Sequence, residues 1–245
     1  MNKVNKLPFF HKPLALFLLE MCEITYEQYK QKGLFAIPKG FTLVESFKAA
    51  SIQEMEWFGF IIESDDAVVI AFRGTQSEPD WIADARVYQT PFPYLEDAGL
   101  VHTGFLTVYD SCRDAIFEAY KKVSPHKTLY ITGHSLGAAL ATLHALDAAI
   151  HTPFNQIVMY NYASPRVGDK EFTIQYRKHV PISIRFVNVH DIVTKVPPTI
   201  IYCPITKQVW YYAHVKSQSS FSIQTESIAG NHSLVTYKKG IERFM

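Results

Sequence analysis

The 245-residue sequence predicts an α/β fold, with a mostly parallel central sheet and helices on both faces. Three observations carry this prediction. "AVVIAFRG" is a nearly continuous apolar run after the Asp65-Asp66 turn, the pattern of a strand buried on both faces. From "TLYIT" to "ISIRFVNV", strand-like runs alternate with helical ones, which implies right-handed parallel crossovers. Between two of those runs lies "ITGHSLGAALATLHA", Ile131 to Ala145, where a serine sits at the junction of a strand and an alanine-rich helix.

The elements follow in chain order. "PLALFLL" opens an amphipathic helix from Pro13 to about Lys30. "FTLVESF" and "EWFGFIIES" are rich in aromatic and β-branched residues and read as strands. "TGFLTVYDSCRDAIFEAYKKV" places Phe105, Val108, Tyr109, Cys112, Ile116 and Ala119 at helical spacing. After "TLYIT" come a helix from Leu136 to about Ala149, the strand "QIVMYNYA", a helix near Asp169 to His179, and the strand "ISIRFVNV". "VWYYAHV" and "SFSIQ" read as strands, and "SLVTYKKGIERF" as a closing helix.

A hydrophobic fraction of 48% suits one globular domain over residues 1–245. A net charge of +1 argues against nucleic acid as a partner. Cys22, Cys112 and Cys203 are odd in number and scattered, so reduced, buried thiols are expected and no paired metal spacing is present. Lys3, Lys6 and Lys12 precede an apolar run too short for a signal peptide, with no small-x-small cleavage site. No run is long enough to span a bilayer. The chain as given therefore reads as cytoplasmic, or as secreted if a leader has been removed.

Gly133 and Gly137 flank Ser135 at two residues on either side. A strand that reverses sharply into a helix brings backbone against backbone, and side chains at those positions would collide. The apex residue is then held in a sparsely populated conformation, at about 1–3 kcal/mol. Its hydroxyl stands at the carboxyl ends of the strands, where open α/β sheets bind ligands. The helix aims its first N–H groups at the same point, favouring a developing negative charge. This is the nucleophile elbow of α/β-hydrolases, so an α/β-hydrolase fold is expected.

A serine hydroxyl needs a base, and the base an orienting acid, following in the order serine, acid, histidine. Asp147, Asp169, Glu171, Asp191, Glu226 and Glu242 are the candidate acids. Asp147 reads as a solvated residue of the helix after the elbow, and Asp169 as a helix cap. Asp191 directly follows "ISIRFVNV", in a loop level with Ser135, and is preferred. His190 precedes the acid and points elsewhere. His214 lies in the alternating "VWYYAHV" and reads as a half-buried strand residue, whereas His232 sits on a loop before the final helix and is preferred. Oxyanion donors are expected from the Leu136 N–H and from Thr75, with Gly74 giving that loop backbone freedom.

"FRGT", "DWIAD", "HTGF", "ITGHSLGAALA", "SPRVGD", "VNVHDIVTKVPP" and "NHSLVTY" stand in the order and roughly the spacing of the class 3, fungal-type triacylglycerol lipases. The sequence resembles that family from about Val68 to Tyr237. The resemblance implies a triad of Ser135, Asp191 and His232 and an oxyanion hole of Thr75 and Leu136. Asp84 would hold the Thr75 hydroxyl, with Gly133, Gly137 and His134 supporting the elbow. A lid would fall on Gln76, Ser77, Glu78, Pro79, Asp80, Trp81 and Ile82. Ser77-x-x-Asp80 has the form of a capping box with Pro79 in its first turn, and the little apolar surface before Trp81 predicts weak activation at an interface. The cysteines depart from the disulfide-bonded secreted enzymes and point to a bacterial or intracellular relative.

The expected activity is hydrolysis of acylglycerols, or other esters at a lipid–water interface, without metal or organic cofactor. A phospholipase A1 or feruloyl-type esterase would use the same machinery, and a substrate panel separates them. A serine peptidase would need an extended cleft for which no motif is present. A non-catalytic binding module would predict decay in the triad, and labelling by a fluorophosphonate would tell it from an enzyme.

Overall fold

The computed structural model describes residues 10–50, 54–75, 88–203 and 207–244. Helix α1 (Lys12–Lys30) starts where the His11 side chain accepts from the Leu14 N–H and Pro13 occupies the first turn. Strands β1 (Thr42–Ala50), β2 (Met55–Glu63) and β3 (Ala67–Phe72) form an antiparallel meander, in which all six β3 side chains are buried. A short ribbon of β4 (Gln89–Pro91) and β5 (Leu100–His102) leads into α2 (Thr103–Tyr120). Then come β6 (Thr128–His134), α3 (Leu136–His151), β7 (Ile157–Tyr162), α4 (Lys170–His179) and β8 (Ile182–Asn188). A second ribbon, β9 (Ile200–Cys203) and β10 (Gln208–Tyr211), precedes β11 (Gln218–Phe221), α5 (Ile228–His232) and α6 (Leu234–Glu242).

The main sheet has seven strands in the order β1-β2-β3-β6-β7-β8-β11. From β3 onward every pairing is parallel, with Phe72 opposite Gly133 and His134 opposite Tyr162. Parallel pairing needs long crossovers, and α3 and α4 supply them. Side-chain alternation divides the core between the faces. Val68, Ile70, Phe72, Ile131 and Met159 pack with α2, α3 and α4, while Phe60, Ile62, Val69, Tyr160 and Phe186 pack with α1 and α6. The alanines of α3 are buried without exception through Ala148, because the helix lies directly on the sheet.

The alternating strand–helix reading holds. Asp169 caps α4, accepting from the Phe172 N–H at 2.8 Å. Two readings change. In "VWYYAHV" the strand stops at Tyr211, and His214 instead reaches the Thr194 carbonyl at 2.7 Å. Asp147 is fully buried rather than solvated. It meets Arg113 in two-point contact, Nε–Oδ2 2.6 Å and Nη2–Oδ1 3.1 Å, and accepts from the Tyr109 hydroxyl at 2.6 Å. A buried carboxylate persists only when paired and hydrogen-bonded in this way. Helical spacing put Asp147 on the right helix, but its partners come from α2, which local pattern does not reveal.

Cys22 and Cys112 are buried free thiols, each pushed up to about 12 by burial. The Cys203 side chain, the lid stretch Gln76 to Ile82 and Asp84 lie outside the described residues.

Candidate active site

Ser135 stands between β6 and α3 with φ 58° and ψ −124°, in the region that costs a non-glycine residue energy. Packing holds it there. Its N–H donates to the Tyr162 carbonyl of β7 at 3.1 Å, and its carbonyl accepts from the Ala138 N–H at 3.0 Å. A Cβ on Gly133 would collide with the Gly137 carbonyl, and one on Gly137 with the Phe72 carbonyl of β3. Both glycines are thus required for clearance, as strand, turn and helix are in backbone contact. Gly74 has the same function, not the one expected of it. Its φ is outside the left-handed region, but a Cβ there would strike the Tyr26 hydroxyl and the His134 carbonyl and stand 3.1 Å from the Ser135 Cβ. Close approach, not backbone freedom, requires glycine at this point.

Gly74 thereby brings the next residue, Thr75, beside the elbow. The Thr75 and Ser135 hydroxyl oxygens are both buried and have no hydrogen-bond partner among the described residues. Buried polar atoms are nearly always paired, so two hydroxyls without a partner among the described residues leave donors for another molecule. The first-turn N–H groups of α3 open on the same point, since a helix cannot satisfy them internally.

Asp191 and His232 come together from 41 residues apart, His232 Nδ1 donating to Asp191 Oδ2 at 2.8 Å. Both side chains are fully buried. Asp191 lies just past β8, and its Oδ1 accepts from the Val193 N–H at 2.9 Å. Its Oδ2 also accepts from the Tyr237 hydroxyl at 2.7 Å. Burial, and then the neighbouring Asp191 charge, raise the Tyr237 phenol well above its ordinary value, so it remains a donor. His232 ends α5, with Asn188 fixing the preceding residue by donating to the Asn231 carbonyl at 2.9 Å.

His134, next to the serine, faces His232 with ring centroids 4.6 Å apart. Its Nε2 donates to the His232 carbonyl at 2.9 Å, and its Nδ1 lies 2.8 Å from the Tyr26 hydroxyl. Burial, reinforced by His232, lowers His134 well below its ordinary value and keeps it neutral. With Nε2 as donor, Nδ1 accepts from Tyr26. Helix α1 is thus linked through Tyr26 and His134 to the backbone of His232. His190 turns to Ser222, at 2.9 Å, and takes no part. Tyr26 and Tyr237 escaped sequence reading because tyrosines at helical spacing are indistinguishable from core.

The parallel sheet and serine elbow are those of an α/β-hydrolase fold. The chain belongs to the class 3 lipase family, whose model matches residues 69–200. It is 32% identical over 193 residues to the secreted mono- and diacylglycerol lipase A of Penicillium cyclopium, covering 77% of this chain and 61% of that protein. It is 30% identical over 207 residues to phospholipase A1-II 6 of Oryza sativa subsp. japonica, covering 66% of this chain and 50% of that one. The chain therefore spans only about half to three-fifths of the length of these curated relatives. A crystal structure of a mutant form of the Penicillium cyclopium enzyme MDLA superimposes with a TM-score of 0.69 at 26% identity, over 88% of this chain and 81% of that one. The Penicillium relative is named as secreted, so the cytoplasmic expectation has no support here; no described helix is long and apolar enough to cross a membrane.

Proposed function

We propose that this chain is a carboxylic-ester hydrolase acting on acylglycerols. The observation that carries this reading is a Ser135 hydroxyl without a partner among the described residues, on a strained elbow whose preceding residue, His134, packs its ring 4.6 Å from that of His232 in the buried Asp191–His232 pair. Ser135 attacks the ester carbonyl while His232 Nε2 takes its proton. Asp191 fixes the imidazole through Nδ1 and stabilises its charged form. The carbonyl oxygen, now negative, receives the N–H groups of Leu136 and Thr75 and the Thr75 hydroxyl. His232 then gives its proton to the departing alcohol, and water repeats the sequence on the acyl-enzyme to release the fatty acid.

The names of the Penicillium and rice relatives support a lipid ester and favour two substrate classes, partial acylglycerols and the phospholipid sn-1 ester. We take the first as the main reading, since it is carried by the higher identity. The test is hydrolysis of p-nitrophenyl esters of graded chain length, a monoacylglycerol, a triglyceride emulsion and phosphatidylcholine, each with wild type and Ser135→Ala. The expected result is acylglycerol turnover that the variant lacks. Preferential release of the sn-1 chain of phosphatidylcholine would transfer the assignment to phospholipase A1.

A further inference from the structure

The connection from β8 to β11 leaves the catalytic end of the sheet just after Asp191, and it carries the β9–β10 ribbon. Antiparallel pairing sets Ile200 opposite Tyr211 and Tyr202 opposite Val209. Alternation along each strand puts these four on one side of the ribbon. All four are open to solvent, at 62%, 58%, 59% and 41% respectively, whereas the intervening Ile201 and Trp210 are partly covered. One face of the ribbon is therefore wholly apolar or aromatic and uncovered.

Hydrogen bonds tie the ribbon and the segment leading into it to the body of the protein. Arg166 Nη1 donates to the carbonyls of Lys195 and Pro197, and the Arg166 N–H to that of Val196 at 2.8 Å. Gln89 Nε2 donates to the Tyr211 carbonyl at 2.8 Å. Further exposed apolar residues stand next to the triad in sequence: Ile192 beside Asp191, and Ile228 and Val235 on the helices flanking His232.

Charge points to the occupant. From residue 192 to residue 225 there is no aspartate or glutamate, while Lys195, Lys207 and Lys216 are all exposed. Size points the same way. Aromatic side chains have about 150–250 Å² to bury, so the ribbon face offers on the order of 400 Å² in all. A stable protein partner covers about 800 Å² per side. Tyrosines and aliphatic residues accompanied along the chain by exposed lysines suit the headgroup layer of an anionic bilayer, where apolar tips enter the acyl boundary and ammonium groups remain among phosphates.

We propose that the β9–β10 ribbon docks the protein on an anionic phospholipid surface, bringing the elbow to its substrate. This rests on the lipid-ester reading for its purpose but not for its test. The full chain carrying Ser135→Ala, which cannot consume the lipid, is sedimented with vesicles of phosphatidylcholine alone or with 30% phosphatidylglycerol, in low and high salt. Binding to the anionic vesicles, at least tenfold weaker on the neutral ones and reduced by salt, is expected. Tyr202→Ser with Tyr211→Ser should reduce binding at least tenfold while leaving hydrolysis of a dissolved short-chain ester unchanged in the Ser135 background. Lys195→Gln, Lys207→Gln and Lys216→Gln together alter only exposed side chains and should remove the preference for anionic vesicles.

Equal binding to both vesicle types, no binding, or undiminished binding by the tyrosine variant would overturn the proposal. So would a dimer in solution that the tyrosine substitutions dissociate, since that identifies a second copy as the occupant. Vesicle binding without hydrolysis of any ester would count against the enzymatic reading alone. Hydrolysis without vesicle binding would count against docking alone.

Discussion

The Tyr237 phenol donates a 2.7 Å hydrogen bond to Asp191 Oδ2, the oxygen that also accepts from His232 Nδ1 at 2.8 Å. One carboxylate oxygen thus serves two donors, while its twin takes the Val193 N–H. Tyr237 is a positioning residue in the proposed site. It keeps Asp191 turned toward the imidazole and shares its charge.

Tyr237→Phe should lower kcat about ten- to a hundredfold with KM nearly unchanged, the scale of one hydrogen bond to a charged group. The Asn188 N–H, which donates to the same hydroxyl at 3.2 Å, would lose its acceptor and stability should fall by about 1–3 kcal/mol. Steady-state kinetics and a denaturant midpoint on one preparation check both. Unchanged kcat in a destabilised variant would assign Tyr237 a purely structural role.

Two histidines follow Asp191 in the chain, and the structure separates their environments. His214 is held neutral, lowered to about 3 by burial and then by Arg185. It cannot be the group whose protonation limits hydrolysis near neutrality. His232→Ala should lose about four to six powers of ten in rate and His214→Ala less than one. The reverse ranking would transfer the role of base.

The Thr75 hydroxyl is buried without a partner among the described residues, and in the proposed reaction it is free to donate to the transition-state oxyanion. Thr75→Val should lower kcat and leave KM near its original value. Removing one oxyanion donor costs about 2.7–4 kcal/mol where only a side chain supplies it. The loss should be smaller here because the Thr75 N–H remains. A parallel rise in KM would show that the hydroxyl binds ground state and transition state alike.

Burial lowers His102 and His144 to about 4, well under the ordinary 6.5, and His214 lower still. The unfolded chain then binds protons that the folded chain refuses. These groups contribute full stability above about pH 6.5 and lose it as pH falls toward 4, at about 1.4 kcal/mol per pH unit for each. His144 accepts from Tyr120 at Nε2, 2.7 Å, and its Nδ1 donates to Tyr109, 3.1 Å. His144→Gln keeps a polar group there without the titration. Melting temperatures between pH 7 and 5 should decline for both proteins, and less steeply for the variant.

Local chemistry made much of this legible. Glycine spacing around Ser135, apolar runs in the strands and the chain order of acid and base needed no knowledge of distant contacts. What remained hidden depends on partners far apart in sequence. Tyr26 reaches His134 across 108 residues, and Asp147 finds Arg113 across 34. A tyrosine on an apolar helix face carries no sign of whether its hydroxyl meets a partner. Nor did alternation in "VWYYAHV" reveal that Tyr212 ends the strand by turning inward, while Tyr211 remains outside.

Ser135, Asp191 and His232 all have 0% exposure. An ester carbonyl cannot meet a hydroxyl that has no exposed surface, so the proposed hydrolysis requires a conformer in which the site opens. Apparent affinity for any active-site ligand is then reduced by the fraction of molecules open at a given moment. A change far from the chemistry that makes opening ten times more frequent would accelerate phosphonate capture, hydrolysis of dissolved esters and loss of bound product by a common factor. A change in the chemistry itself would shift them separately. Gating and bond-making in this protein can thus be distinguished by rates alone.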